Sequence, residues 1–178
     1  IIYIAHNIVV KTNLFLVGGV IYFLRGSYEL KEIGGLWRSQ PWLGLLFLIP
    51  ALSLAGLPPL SGFFGKYIII RAGVEAESWG IVAVALVVGL LTLYSMIKIW
   101  AEAFWKAQPE EHEERAAQFE KKLSDGSLAL MIVPIAALAA ITVFIGLGAQ
   151  PIYELADAAA TQLLDSTYYI QAVLGETP

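Results

Sequence analysis

The sequence predicts an all-α, polytopic membrane protein, and its composition and four long apolar blocks carry that prediction. Hydrophobic residues make up 58% of the 178 residues and charged residues only 15%, which is far too apolar for an ordinary soluble domain. A helix needs about 20 residues to cross a hydrocarbon core. The predicted transmembrane segments are residues 1–24, 41–71, 79–104 and 128–148.

The second apolar block is too long for one straight crossing. Residues 41–71 would extend roughly 46 Å as a helix, against a hydrocarbon core of about 30 Å. Proline removes a backbone donor and breaks a helix interior, so we expect a discontinuous helix interrupted at residues 56–60. Ser61 is a suitable N-cap for the second half. The residues assigned to the break are Gly56, Pro58, Pro59, Ser61 and Gly62.

Lys66 follows this break, within a stretch that is otherwise apolar from Trp42 to Ile70. A lysine at bilayer depth costs roughly 2.5–3.5 kcal/mol, and such residues commonly mark ion or proton paths. A broken helix at that depth is tolerated only inside protein or beside water. The competing interpretation is an interfacial lysine that snorkels toward the level of Arg71. We favour a translocation role.

The first block contains an unusually large number of polar residues for a membrane helix. Lys11 and His6 are candidate proton carriers, although they point about 140° apart and a water would have to join them. His6 could instead lie near the interface. Asn7 shares a face with Lys11. The predicted supporting polar residues are Asn7, Thr12, Asn13 and, on the third block, Lys98. An ion pair of Lys98 with Glu102 and a role as an interfacial anchor are favoured over a functional role for Lys98.

Basic residues predict the orientation of the chain. Residues 25–40 and 105–127 are rich in lysine and arginine and are expected to be cytoplasmic, whereas residues 72–78 and 149–178 are expected outside. The 105–127 segment is predicted to hold a short surface helix, because acidic residues open it and lysines close it. The tail 149–178 is expected to form an external amphipathic helix, on the outer surface or docked on a partner. Because Ile1 already lies within an apolar run, we expect a C-terminal part of a longer polypeptide.

Several kinds of site are excluded by the sequence. There is no cysteine and there are only two histidines, far apart, so we expect no disulfide, no metal centre and no cofactor. Gly65-Lys66 lacks the earlier glycine of a phosphate-binding loop. No basic patch with interleaved aromatic residues indicates nucleic acid. We expect a transporter subunit and not an enzyme.

Three segments are similar to antiporter-type membrane subunits. They are His6-Asn-Ile-Val-Val-Lys-Thr-Asn-Leu-Phe-Leu16, Ser53-Leu-Ala-Gly-Leu-Pro-Pro-Leu-Ser-Gly-Phe-Phe-Gly-Lys66 and Leu93-Tyr-Ser-Met-Ile-Lys-Ile-Trp-Ala-Glu-Ala-Phe-Trp105. The tail Gln162-Leu-Leu-Asp-Ser-Thr-Tyr-Tyr-Ile-Gln-Ala-Val-Leu-Gly175 resembles the same family. That family includes Mrp-type multisubunit Na⁺/H⁺ antiporters and the proton-pumping subunits of respiratory complex I.

The resemblance implies a fold of inverted repeats, each with a broken helix, of which this chain supplies the last four spans. It implies that Lys66 lies in an outward half-channel and that Lys11 and His6 belong to the protonatable groups at the membrane centre. In complex I subunits the spacing of histidine and lysine often differs by one. The implied cargo is Na⁺ and H⁺, the implied partners are other subunits of a hetero-oligomeric complex and the lipid bilayer, and the implied location is a bacterial cytoplasmic membrane.

Two alternatives remain open at this point. One is a proton-pumping subunit of NADH-quinone oxidoreductase or of a related membrane-bound hydrogenase. The other, of a different class, is a structural membrane scaffold whose lysines only pair with neighbours.

Overall fold

The computed structural model describes residues 1–122, 125–165 and 167–175. Within these ranges the regular elements are all helical and no strand occurs, so the predicted all-α class is confirmed. Of these helices, three are long and apolar enough to cross a membrane: Ile2–Arg25, Trp79–Trp105 and Gly126–Leu147. Pro41–Ala55 is a shorter apolar helix. Residues 123–124 of the predicted charged segment, and 166 and 176–178 of the predicted tail, lie outside the described residues.

The helices follow one another with short connections. In chain order they are α1 (Ile2–Arg25), α2 (Leu36–Ser39), α3 (Pro41–Ala55), α4 (Ser61–Glu75), α5 (Trp79–Trp100), α6 (Glu113–Lys122), α7 (Asp125–Leu147), α8 (Ala149–Leu164) and α9 (Thr167–Leu174). A π-helical turn, Ala101–Trp105, extends α5, and a 3₁₀ turn, Glu110–His112, precedes α6.

Several helices extend beyond the predicted membrane segments, because they continue into polar residues. The predicted loop 72–78 is shorter, since α4 runs on to Glu75, where an Arg71–Glu75 ion pair of 2.8 Å spans its last turn. Similarly, α7 begins at Asp125, three residues before the predicted apolar block. The predicted loop 25–40 contains the short helix α2, which sequence analysis missed.

Helix α1 lies at the centre of the packing and contacts α3, α4, α6 and α7. Its buried face includes Val10, Val17, Val20 and Leu24, each no more than 1% exposed, and these residues recur at the spacing of one helix face. Near the Arg25 end of α1, this face joins a core that also contains Phe104 of the π turn. The consequence is that polar residues on the same face of α1 are held between helices.

Helix α6 and the 26–35 connection close the bundle at the Arg25 end. The Arg25 side chain is 5% exposed, and its Nη1 lies 3.2 Å from a carboxylate oxygen of Glu120. Its Nε donates to the Gly34 carbonyl and its Nη2 to the Ser39 hydroxyl. A buried guanidinium needs this many partners, because an unpaired buried charge is costly. Arg25 therefore ties α1, α2 and α6 together.

Low pH should loosen α6 through a second ion pair. Arg115 Nη2 of α6 donates to Glu32 Oε2 over 2.7 Å. A hydrogen bond from Ser27, together with the Arg115 guanidinium, holds the pKa of Glu32 below its usual range. The stabilisation from the ionised Glu32 carboxylate is fully present above the ordinary pKa of a glutamate, near 4. It is lost as pH falls through the lowered pKa of Glu32. Amide hydrogen exchange should show weaker protection of α6 near pH 3 than at pH 7.

The matched variants are Glu32→Gln and Glu29→Gln. Glu32→Gln should weaken protection of α6 already at neutral pH and reduce the further loss on acidification, whereas Glu29→Gln, which changes an exposed residue, should behave as wild type. Equal pH responses in the wild type and Glu32→Gln would contradict this prediction.

Candidate functional site

The connection between α3 and α4 redirects the backbone next to α1. Gly56 has φ 95° and ψ 34°, in the left-handed region, a conformation that glycine adopts without steric cost. The Gly56 N–H donates to the carbonyls of Leu52 and Ser53 and closes the last turn of α3. The helix then stops for residues 56–60 before α4 begins at Ser61.

Lys66 replaces the backbone partner that the Ala55 carbonyl loses at this interruption. In a continuous helix that carbonyl would accept from residue 59, which is a proline without an N–H. Here Lys66 Nζ donates to the Ala55 carbonyl over 2.8 Å. Helix α5 closes over this contact at Gly89, the buried residue of that helix, where an added Cβ would lie 3.4 Å from Nζ.

Lys66 and Lys11 line one cavity of about 250 Å³. Asn7 lines it too, and its amide nitrogen donates to the Tyr3 carbonyl over 2.9 Å. Thr92 contributes from α5. Lys66 is half-buried, whereas Lys11 is exposed and forms no ion pair or side-chain hydrogen bond within the described part of the chain. Two amines and an amide therefore share a largely apolar recess beside the interruption.

His6 lies against the N-terminal turn of α4, where it meets Ser61 and Gly62. The imidazole is 2% exposed, and Nδ1 lies 2.8 Å from the hydroxyl of Ser61. The Ser61 hydroxyl lies in turn 3.0 Å from that of Ser53, which accepts from the Gly62 N–H over 3.2 Å. Histidine and serine can each donate and accept. These groups form a buried hydrogen-bond chain across α1, α4 and α3.

Ser61 is not the N-cap of α4, so that prediction is wrong. The N-cap is Leu60, which makes no side-chain capping bond, and the Gly62 N–H of this first turn is bound instead by the Ser53 hydroxyl of α3. The Ser61 hydroxyl is occupied by His6 and Ser53 and cannot turn back on its own helix. Sequence analysis missed Ser53, and the available signal was a hydroxyl three residues before Gly56 in an otherwise apolar helix.

Glycine at position 62 allows the three helices to meet. A Cβ there would overlap the Ser53 carbonyl oxygen and lie 2.8 Å from Cε1 and Nε2 of His6. Gly62 thus sets the distance at which the imidazole can reach Ser61.

The remaining predicted site residues are dispersed. Thr12 is exposed, and Asn13 is buried on the α1 face that also carries His6, with its amide nitrogen donating to the Ile135 carbonyl over 3.2 Å. Lys98 is exposed and does not form the predicted ion pair, because Glu102 pairs with Lys106 at 2.8 Å. Lys106 also donates to the Leu30 carbonyl. Lys98 does not line the cavity that Lys66 and Lys11 share.

Chemically, the residues around the α4 N-terminus offer groups that can hold and pass protons. Lysine and histidine can each take up and release a proton, and a row of hydroxyls can relay one by reorientation. Among the described residues, no group of three His, Asp or Glu side chains could hold a metal ion. An interrupted, apolar helix pair with protonatable groups at the interruption is typical of one class of protein, the ion-translocating membrane subunits.

Comparison with known proteins gives the family. Residues 1–92 match the family model described as NADH:quinone oxidoreductase/Mrp antiporter, transmembrane. Over 99% of this chain, the identity is 48% to the D subunit of the Na(+)/H(+) antiporter of Alkalihalophilus pseudofirmus and 35% to that of Bacillus subtilis. The chain belongs to this antiporter family, and the resemblance seen in its motifs is confirmed. It spans about a third, 34%, of the length of these two relatives.

A solved structure agrees with this assignment. The chain is similar to one chain in the structure of the Mrp complex from Dietzia sp. DQ12-45-1b, with a TM-score of 0.78 and 32% identity, over 97% of this chain and 39% of that one. A more partial likeness exists to NADH-quinone oxidoreductase subunit 14 of Thermus thermophilus, at 43% identity over 46% of this chain and 19% of that protein. The family and its helices make this a multi-pass membrane protein.

Proposed function

We propose that this chain is part of a membrane subunit of a multisubunit Na⁺/H⁺ antiporter, in which protons move along Lys66, Lys11 and His6. The observation that carries the proposal is the position of Lys66, bound to the carbonyl released at the helix interruption and sharing a cavity with Lys11. The names of the two relatives that match over the whole chain, both subunits of Na(+)/H(+) antiporters, support the choice of ions.

Two short routes meet at the interruption in this proposal. In the first, water in the cavity of about 250 Å³ would connect Lys66 with Lys11. In the second, protons would pass along His6, Ser61 and Ser53, whose heavy atoms are 2.8 and 3.0 Å apart. Asn7 would orient groups within the cavity. The residues that form the interruption, Gly56, Pro58, Pro59, Ser61 and Gly62, would keep both routes open.

The proposed topology has four crossings, with α3 and α4 together forming one discontinuous span. The segments containing α2 and α6 would face the cytoplasm because they are rich in basic residues. The tail with α8 and α9 would then lie outside. The membrane would be a bacterial cytoplasmic membrane, and the partners would be other membrane subunits, as in the Mrp complex to which the chain is similar.

A redox-driven proton pump is the second candidate. The likeness to the Thermus thermophilus protein favours it. That likeness covers less than half of the chain, whereas the antiporter relatives cover nearly all of it. The Lys66–Ala55 hydrogen bond is also compatible with a purely structural scaffold, whereas the family of the chain favours transport.

Vesicle transport should separate these candidates. The full-length subunit, assembled with its partners and reconstituted in vesicles, should move protons out of the vesicles when Na⁺ is added outside, with no electron donor present. K⁺ added at equal ionic strength is the matched control for osmotic and surface effects. Proton movement that requires NADH or a quinone would overturn the proposal in favour of the redox pump, and no movement in either condition would favour the scaffold.

A further inference from the structure

A separate cavity of about 680 Å³ lies at the Arg25 end of the bundle, where the π turn ends and α3 begins. Its walls include Trp37, Trp100 and Trp105. Trp37 is 42% and Trp105 76% exposed. Tryptophan concentrates where a bilayer meets water, because its ring is apolar and its N–H is polar. We refer to this space as the headgroup cavity.

One free cation and one free anion line the headgroup cavity. Arg38 and Glu113 are both exposed, and the structure pairs neither of them with any described residue. They also do not pair with each other, so their charged atoms are more than 4.0 Å apart. The third charged residue in the wall, Arg25, is already bound by Glu120, Gly34 and Ser39.

Two neutral polar atoms in the same wall also lack partners. The indole Nε1 of Trp100 is buried without an acceptor, and Oε1 of Gln108 is buried without a donor within the described ranges. The Gln108 amide nitrogen donates to the Glu32 carbonyl over 2.9 Å, which fixes Oε1 as the free end of the amide. Buried polar atoms are rarely left unpaired. Both atoms are buried behind the cavity surface, so the exposed charges of Arg38 and Glu113 are the groups that a ligand in the cavity can reach.

We propose that the headgroup cavity binds a phospholipid whose headgroup carries a phosphate and a primary ammonium. Arg38 binds the phosphate, because a guanidinium is complementary to phosphate oxygens. Glu113 accepts hydrogen bonds from the ammonium. The aromatic walls cover the glycerol and upper acyl carbons. Lipid is the occupant because the cavity combines opposite, separated charges with an aromatic interface at the end of the apolar helices.

The charges distinguish this headgroup from other common ones. A phosphatidylglycerol headgroup has no cation for Glu113, and its negative charge is repelled by that carboxylate. A phosphatidylcholine headgroup is zwitterionic, but its quaternary ammonium has no N–H to donate. Phosphatidylethanolamine satisfies both residues at once.

Lipid retention tests this assignment directly. The full-length protein in its complex is reconstituted in nanodiscs of equal phosphatidylethanolamine, phosphatidylglycerol and phosphatidylcholine, extracted in mild detergent, and its retained lipids are counted by native mass spectrometry. The wild type should retain phosphatidylethanolamine over phosphatidylcholine by about tenfold, as expected for one charge-assisted hydrogen bond. Glu113→Gln should remove that preference, and Arg38→Gln should lower retention of all three lipids.

The matched controls are Glu114→Gln and Lys31→Gln, which remove an exposed charge outside the cavity wall and should leave retention unchanged. Equal retention of the three lipids by the wild type overturns the assignment. The assignment is also overturned if a photocrosslinker placed at position 105 captures a partner polypeptide and no lipid in the assembled complex. The readout is lipid binding, so its result is independent of the transport proposal.

Discussion

Replacement of Lys66 by methionine should abolish Na⁺-dependent proton transport while the complex still assembles. Methionine has a similar length and an apolar end, so it fills the same space but can neither carry a proton nor donate to Ala55. Positioned proton-transfer groups typically contribute 10²–10⁴-fold to rates, so we expect a loss of at least about 100-fold. The measurement is pH change inside vesicles after a Na⁺ pulse, with complex integrity checked by size-exclusion chromatography.

The same substitution leaves the Ala55 carbonyl without its side-chain donor, which should cost about 1–3 kcal/mol of stability. Lys31→Met is the matched control, because it removes an exposed lysine in the 26–35 connection and should leave transport at the wild-type level. Lys66→Met with near-normal exchange would contradict the assignment of Lys66 to the path. Loss of transport together with dissociation of the complex would support a scaffold.

Replacement of Gly62 by alanine should both destabilise the protein and inactivate it. The new methyl group would overlap the Ser53 carbonyl and press on the His6 ring. Overpacking in a close-packed site costs typically 1–3 kcal/mol, and we expect the upper end, about 3 kcal/mol, because a backbone carbonyl cannot rotate away. If α4 shifts to relieve the overlap, the His6–Ser61 hydrogen bond of 2.8 Å should lengthen and break.

Thermal unfolding of the purified full-length protein in detergent measures the first effect, and vesicle exchange measures the second. Gly80→Ala is the matched control. An added Cβ at Gly80 meets no atom within 4 Å, and alanine is favoured over glycine in a helix by about 1 kcal/mol. That variant should be neutral or slightly more stable. A Gly62→Ala protein with an unchanged melting temperature would show that the helices are not in close contact there.

The sequence predicts the helix interruption well, because it is encoded locally. Pro58 and Pro59 cannot donate backbone hydrogen bonds, and Gly56 readily takes the left-handed conformation. Helix boundaries are predicted less accurately. Hydropathy places the end of α4 at its last apolar residues, but the Arg71–Glu75 pair extends the helix to Glu75, and hydropathy does not detect such a pair.

The candidate site is predictable as a set of residues but not as an arrangement. The contact of His6 with Ser61 joins residues 55 apart in the chain, so it depends on how α1 packs against α4. No local pattern encodes that packing. The cavity that Lys11 and Lys66 share cannot be predicted from the sequence for the same reason. Asn13, seven residues from His6 on α1, could have been placed on its face by helical periodicity.

The bond between Lys66 and the Ala55 carbonyl also explains which side chain this position can accept. A neutral amine keeps two N–H groups, so it can still donate to that oxygen after giving up its charge. An ionised carboxylate could only accept, and a guanidinium would donate but hardly ever release a proton. Among ionisable side chains of this length, lysine is therefore the one that can gain or lose a proton and still donate a hydrogen bond to the Ala55 carbonyl.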